Sequence, residues 1–334
     1  MLGLETQEVE RKVLTILKIL SDSKKPLGAR IIADRLKKGY GIDLSERTVR
    51  YHLKLTDERR LTKLVGRDGR LITELGIEEI SNALVEDKVG LAISRIELLT
   101  FLTDFNYDKA TGSVPVNISI FPKDKFNKAL HAMKPVFAEG LCVSDRIAVA
   151  YEGEQLGKLI VPEGHSGLAT VCSLVINGTL LKAGIPMNSR FGGILQIQNH
   201  QPLRFVEFIR YDGSSLDPSE VFIRARMTST RDVVKTGEGK ILANFREIPA
   251  LCRSVAEEMI DKLAKAGLRG LLVMGKTSEP VCEIPVELNR IGMAILGGLN
   301  PVAAAHEAGI EAKNYAMSTI MEYQNLVNFS EVAK

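Results

Sequence analysis

Apolar residues recur at helical spacing through the first part of the chain. Farther on they alternate between strand-like runs and helical stretches. Val9, Val13, Ile16, Leu17 and Leu20 predict a first helix over about Thr6–Leu20. SDSKKP breaks the pattern, and Ile31, Ile32 and Leu36 carry a second helix that begins near Pro26. KGYGIDLS reads as a turn, and Ser45 has the short oxygen side chain of a good N-cap for a third helix. LTKLV and RLIT, joined by GRDG, read as a short hairpin with Asp68-Gly69 at the positive-φ positions of its turn. Three short helices and a two-stranded wing predict a winged helix-turn-helix over residues 1–82.

Leu75 to Phe105 reads as helix with a soft break at Gly90, closing the first domain and leading to the next. A strand follows at Val114–Phe121. From there the pattern repeats. VPVNISIFPKDKFNKALHAMKPVFAEGL then RIAVAYEGE reads strand, helix, strand, and so does GKILANFREIPALCRSVAEEMIDKLAKAGL then RGLLVMGKT. Each copy continues through a Gly-rich helical segment ending in Ala-Gly-Ile: NGTLLKAGI and GGLNPVAAAHEAGI. RFVEFIRYD and EVFIRARMTS read as additional strands. The expected fold class is α+β, a winged helix-turn-helix followed by a mixed α/β domain with an internal pseudo-repeat. Its expected divisions are 1–82, a helical connector at 83–109, and 110–334, the last in two similar halves (about 110–215 and 216–334) with a cleft between them.

Composition narrows the class. The chain has 334 residues, 45% hydrophobic and 25% charged, the profile of a water-soluble globular protein. No apolar run approaches the roughly 20 residues of a membrane span, and MLGLETQEVERKVL has neither a signal nor a transit pattern. Cys142, Cys172, Cys252 and Cys282 lie far apart, which points to reduced thiols in a cytoplasm and away from a disulfide frame or zinc site. Net charge is only +3, yet residues 24–70 alone carry a balance of +8 and the chain beyond residue 80 a balance of −1. A basic module joined to a near-neutral body suits a polyanion partner.

The third predicted helix places Arg47, Arg50, Tyr51 and Lys54 on one face and Val49 and Leu53 on the other. A basic face opposite an apolar one can enter a major groove, where arginine pairs bidentately with guanine and Thr48 or Tyr51 reaches phosphate or base edges. Arg59, Arg60 and Lys63 suit phosphates, and Arg67 and Arg70 at the wing suit the backbone or a minor groove. Ser45 completes the candidate DNA-binding set.

Enzyme motifs fare poorly. VKTGEGKI has a phosphate loop's later glycines and lysine, but Val234 stands at its first glycine and Ile241 where Ser or Thr is needed. His165 and Cys172 form a nucleophile pair only if the fold brings them together. His131, His200 and His306 lack metal-ligand spacing. The richer stretch is CSLVINGTLLKAGIPMNSRFGGILQI, which begins at Cys172. Asn188, Ser189, Arg190 and the pair Gly192-Gly193 interrupt an apolar frame there, where glycine admits backbone N–H groups to a ligand and arginine grips carboxylates. An anion pocket and a tight turn with a solvent-facing arginine are both open at this point.

LSERTVRYHLK, TVCSLVINGTLLKAGIPMNSRFGG, GEGKILANFREIP and GMAILGGLNPVAAAHEAGI resemble the NrpR family of archaeal nitrogen-regulatory repressors over nearly the whole chain. The resemblance implies a repressor of nitrogen-assimilation genes that binds an inverted-repeat operator as a homodimer. It also implies 2-oxoglutarate as inducer; no cofactor and no metal are expected from the residues themselves. The inducer is expected between the halves. The Asn188–Gly193 loop, with Asn188, Ser189, Arg190, Gly192 and Gly193, would form one wall, and Gly297, Gly298 and Asn300 would lie near the other; Cys172 is also in the expected effector-binding set. Arg210, Arg226, Arg246 and Arg290 are rivals for the anion-binding role. Two departures stand out: Thr56 replaces an expected Leu and Arg60 an expected Gly. Some family members carry two effector domains where this chain has room for one, so a second NrpR-domain protein is a further expected partner. Two other classes remain open: an enzyme acting on a small carboxylic acid with an appended DNA-binding domain, and a corepressor adaptor.

Overall fold

The computed structural model describes residues 2–23, 25–82 and 91–333. The expected break at Gly90 lies outside them. The chain forms two compact units, 1–94 and 95–334.

The first unit holds helices α1 (Leu2–Ser21), α2 (Ala29–Tyr40) and α3 (Glu46–Glu58), the hairpin β1 (Thr62–Val65) and β2 (Gly69–Ile72), and α4 (Glu74–Asn82). Ile16, Leu20, Ile32, Leu36, Val49 and Leu53 meet in its core. The Ser45 hydroxyl accepts the Thr48 N–H and starts α3. The wing is a three-stranded edge, because Leu27 exchanges both backbone hydrogen bonds with Arg70. That close approach explains Gly69, at φ 119, where a Cβ would sit 2.3 Å from the Leu27 carbonyl. The turn differs from expectation: its other positive φ is at Gly66, and Asp68 does not take one. Thr56 is fully buried, and its hydroxyl meets that of Thr62 at 2.8 Å, which satisfies it where Leu was expected. Arg60 adopts φ 59, the left-handed conformation that glycine would occupy without strain.

The second unit begins on α5 (Leu91–Leu102), followed by β3 (Asp104–Asn106). The first repeat then runs β4 (Thr111–Pro122), α6 (Phe126–Ala138), β5 (Arg146–Tyr151), a small hairpin of β6 (Gln155–Leu156) and β7 (Leu159–Ile160), β8 (His165–Val171), α7 (Leu174–Lys182) and β9 (Asn188–Gln198). Strand β10 (Gln201–Arg210) and helices α8 (Pro218–Arg224) and α9 (Thr230–Thr236) lead to the second repeat. It comprises β11 (Gly239–Pro249), α10 (Arg253–Lys265), β12 (Leu271–Thr277), β13 (Arg290–Leu296), α11 (Asn300–Glu307) and β14 (Lys313–Glu322). Short β15 (Val327–Asn328) and α12 (Phe329–Val332) close the described chain.

Two antiparallel sheets result. One has the order β14-β4-β8-β5-β15, with β3 beside β4; the other is β10-β9-β11-β13-β12. The last strand of each repeat therefore pairs with the first strand of the other repeat: β9 with β11, and β14 with β4. The halves at about 110–215 and 216–334 are thus not separate sheets. The helices exchange in the same way. α6 packs with α11 around Phe126, Met133, Val302 and Ala303, and α7 with α10 around Val175, Leu180, Ala256 and Leu263. EVFIRARMTS, expected as strand, begins inside helix α8 and supplies its Glu220–Arg224 portion. Asp217 caps it, Pro218 fixes its first turn, and Phe222 and Ile223 are buried.

Candidate functional site

On α3 the side chains of Arg47, Arg50, Tyr51 and Lys54 are exposed, while Val49, His52 and Leu53 are buried. Tyr51 is 59% exposed, notable for a large ring and apt for a contact surface. Glu46 pairs with Arg50, and Glu58 lies 3.8 Å from Lys54. Thr48 is half-buried at the capping hydroxyl of Ser45. Arg47, Arg60, Lys63 and Arg67 are exposed with no carboxylate partner among the described residues. Two expected phosphate contacts are already engaged. Arg59 makes a bidentate pair with Glu10 at 2.6 and 2.9 Å, and Arg70, half-buried, donates to Asp57 at 2.7 Å. Those two side chains hold α1, α3 and the wing together. Arg70, one pair in from the turn of the wing, is therefore a brace between β2 and α3. His52 is buried with Nδ1 unpartnered; burial, then the nearby Lys12 charge, lowers its pKa below the usual 6.5.

In the second unit, the two repeats meet at a small cavity of about 20 Å³. Asn117 of β4 and Asn244 of β11 line it, as do Cys172, Ser173 and Leu174 at the start of α7 and Gly298 and Leu299 at the start of α11. Tyr211, Asp217, Ser219, Met317 and Arg246 complete the wall. Arg246 carries the positive charge. It is 1% exposed and donates to the Ser173 carbonyl at 3.0 Å, to the Ser173 hydroxyl at 2.8 Å and to Asn177 Oδ1. Its Nε has no partner, and no carboxylate pairs with it among the described residues. Burial accordingly lowers its pKa from the usual 12.5. The starts of two helices, α7 and α11, also reach the cavity, with the Val175, Ile176 and Asn300 N–H groups bonded to the Cys172, Ser173 and Gly297 carbonyls.

The other lining groups are neutral or drawn that way. The Tyr211 hydroxyl donates to Asn244 Oδ1 at 2.5 Å, and burial raises its pKa well above 10. Burial pushes the Cys172 thiol up to about 11 and raises the Asp217 carboxyl. A buried guanidinium that no carboxylate pairs, two helix starts and two carboxamides thus share the wall with the Asp217 carboxyl, a donor-rich lining that can receive a carboxylate.

Arg190 lies elsewhere. It is on strand β9, not in a loop, and donates to Glu247 at 2.7 Å and to the Pro285 carbonyl at 2.9 Å. Glu247 is fully buried, so this pair is a structural brace. Of the rivals, Arg210 pairs with Asp212, Arg226 with Glu311 and Arg290 with Glu287. Arg246 is the one of the five without a carboxylate.

The remaining expected residues divide. Cys172 and Gly298 line the cavity. Gly297 and Asn300 lie just behind it, where the Gly297 N–H and the Asn300 carboxamide bond the Leu242 backbone. Ser189 accepts from Asn177, one bond away from Arg246. Gly192 packs under Pro218 and Tyr211, Gly193 under Phe205, and Asn188 is exposed. Asn117, Ser173, Tyr211, Asp217, Ser219, Asn244 and Met317 were not anticipated. Asparagine five residues before the strand-ending proline in both NISIFP and NFREIP was a readable signal for two of them.

His165 and Cys172 sit at opposite ends of β8, so they form no nucleophile pair. Among the described residues no group of three or more His, Cys, Asp or Glu could hold a metal ion, and no helix is long and apolar enough to cross a membrane.

Comparison with known proteins matches residues 89–328 to the NrpR regulatory domains NRD1 and 2, and residues 14–80 to the ribonuclease R winged-helix domain. A global nitrogen regulator NrpRI from Methanosarcina mazei is 41% identical over 96% of this chain and 98% of its own. Global nitrogen regulators NrpR from Methanococcus maripaludis and Methanocaldococcus jannaschii are each 34% identical over 93% and 96% of this chain; the chain spans about half their length, 54% and 55%. The crystal structure of a nitrogen repressor-like protein from Methanococcus jannaschii covers 71% of this chain and 98% of its own, with a TM-score of 0.61 and 28% identity.

Proposed function

The chain belongs to the NrpR family of nitrogen regulators, and from that premise we propose a DNA-binding repressor of nitrogen-assimilation genes whose effector anion, 2-oxoglutarate, is received at Arg246. The carrying observation is the buried guanidinium with an unpartnered Nε and no carboxylate. Isolated buried charge is costly, and an entering carboxylate supplies both the counter-charge and the missing acceptor.

The cavity's size bears on mechanism. About 20 Å³ accommodates roughly one water, far less than a five-carbon dicarboxylate. The effector therefore binds a state in which the lining has parted. Because that lining comes from both repeats, a ligand that holds them apart has differential affinity for two arrangements, the requirement for any switch. DNA contact falls to the α3 face and to Arg60, Lys63 and Arg67, with Arg59 and Arg70 bracing them. Operator symmetry calls for a homodimer with recognition helices about one DNA turn, roughly 34 Å, or a small multiple apart. A second NrpR-domain protein is a further candidate partner.

The test is an anisotropy titration of an inverted-repeat DNA from upstream of a nitrogen-assimilation gene, with and without 2-oxoglutarate. Operator affinity should fall with 2-oxoglutarate, and the compound should be recovered unchanged. Identical affinity in both conditions rules out the effector reading, and consumption of the compound favours an enzyme.

A further inference from the structure

The strands that end the two repeats are built differently where they pass the cavity. β9 pairs Gly192 with Asn244 and Phe191 with Phe245, and its own register shift, at Arg190, comes only after them. At the equivalent place β14 passes Asn117 with three residues, Ala316, Met317 and Ser318, between the partnered pairs Tyr315–Ile118 and Thr319–Val116. The strand bulges there, and Met317 takes φ 48. Four backbone groups in the bulge are held by side chains instead of a ladder. Glu220 Oε1 accepts the Ala316 N–H at 2.7 Å, and Asn117 Oδ1 the Met317 N–H at 3.0 Å. Arg95 donates Nε to the Met317 carbonyl at 2.6 Å and Nη2 to the Ser318 carbonyl.

These holders come from two directions. Asn117 lines the cavity itself, and Glu220 belongs to α8, whose cap Asp217 and first-turn Ser219 also line it. Arg95 belongs to α5, the helix that follows the winged-helix segment in the chain. Met317 is at once a cavity wall and the centre of the bulge. Asn117 and Asn244 are fixed within hydrogen-bonded strands, whereas Met317 sits on backbone already released from its ladder. A ligand that parts the lining meets least resistance there, and a residue in the left-handed region without glycine gains by leaving it. A shift of Met317 moves its carbonyl, and Arg95 grips that carbonyl.

We infer that the bulge Ala316–Ser318 transmits occupancy of the cavity to helix α5 through Arg95. This rests on the proposal that the cavity receives the effector. Arg95 is a positioning residue: it touches neither the cavity nor the DNA-reading helix in the inferred scheme. Its two-pronged grip on adjacent carbonyls converts a change of bulge conformation into displacement of the helix, as small shifts in packed elements are amplified elsewhere.

The test uses the full chain with Arg95→Ala and Arg95→Lys, 2-oxoglutarate as ligand, and an operator fragment as DNA. Calorimetry reads ligand affinity, and anisotropy reads DNA affinity with and without ligand. Both variants should bind 2-oxoglutarate and, without it, operator DNA as the parent does. The factor by which the ligand weakens DNA binding, on the order of 5–150 in coupled systems, should fall toward one. Arg95→Lys retains the charge but reaches a single carbonyl, so it reports on coupling even where Arg95→Ala fails to fold. A variant that binds both partners and keeps the parent's coupling factor overturns the inference while leaving the effector site intact. A parent protein that does not bind 2-oxoglutarate removes the effector reading and this inference with it.

Discussion

Asn117 and Asn244 occupy equivalent positions in the two repeats, both buried, and both face the same cavity. The cavity therefore lies where the repeats' pseudo-symmetry brings like parts together. The symmetry fails at one telling place. Two residues beyond Asn244 stands Arg246, and two beyond Asn117 stands Ser119, whose buried hydroxyl has no partner. The fold offers two such positions, and one carries a cation. A dicarboxylate with two unlike ends would consequently place one of its carboxylates at Arg246 of β11.

Gly298 sets the clearance on the opposite wall. A Cβ there would lie 2.6 Å from both Asn117 Nδ2 and the Val171 carbonyl. Gly298→Ala should push Asn117 into the cavity and destabilise the second unit by about 1–3 kcal/mol. Effector binding should be lost while operator binding persists. Calorimetry with 2-oxoglutarate and an operator gel shift on the same preparation check this; unaltered ligand affinity would count against the cavity as the site.

On the DNA side, Arg47 and Arg67 have different expected roles. Arg47→Ala should cost roughly 1–3 kcal/mol on operator and less on random DNA, since it removes a base-reading side chain from α3. Arg67→Ala at the wing should weaken both DNAs alike and reduce the salt dependence by about one unit of slope. Salt titrations on both DNAs distinguish the two, and equal losses from both variants would contradict the assignment.

His52 makes the winged helix acid-sensitive. Its pKa is lowered in the fold, chiefly by burial, so below about 6.5 the unfolded chain takes up a proton that the folded chain resists. Its contribution is complete above that value and declines as pH falls toward the folded pKa. Denaturant midpoints of the first unit at about pH 7.5 and about pH 5.5 should differ more for the parent than for His52→Leu. Equal acid sensitivity would assign the effect to other groups.

Arg190→Ala should behave as a stability variant. It leaves Glu247, fully buried, without its cation. The loss should be on the order of 3 kcal/mol, read as a lower unfolding midpoint. Where folded, the variant should bind 2-oxoglutarate like the parent; a specific loss of ligand binding at unchanged stability would restore Arg190 to the site.

The winged helix was legible because each element has its own local signal: apolar period, the Ser45 cap, the glycine-bearing turn. The repeat was legible for the same reason. The exchange of β9 and β14 between sheets was not, because choosing a partner strand is a long-range matter on which the local pattern is silent. Over seven residues, PSEVFIR has too short a period to separate helix from strand, and Asp217 and Pro218 decide it. At the site, glycine neighbours drew attention to Arg190. Arg246 was obscured by the adjacent Glu247, which resembles a ready partner. Strand alternation sends these two side chains to opposite faces of β11, and Glu247 pairs with Arg190 instead.

The most direct test of the account is calorimetric titration of 2-oxoglutarate into the parent protein and Arg246→Gln, with the fold of each verified by thermal denaturation. A charge-assisted hydrogen bond contributes about 1.5–3 kcal/mol, so Arg246→Gln should bind on the order of 10–150-fold more weakly and hold operator DNA in the effector's presence. Parent-like 2-oxoglutarate affinity in a folded Arg246→Gln protein would contradict the account.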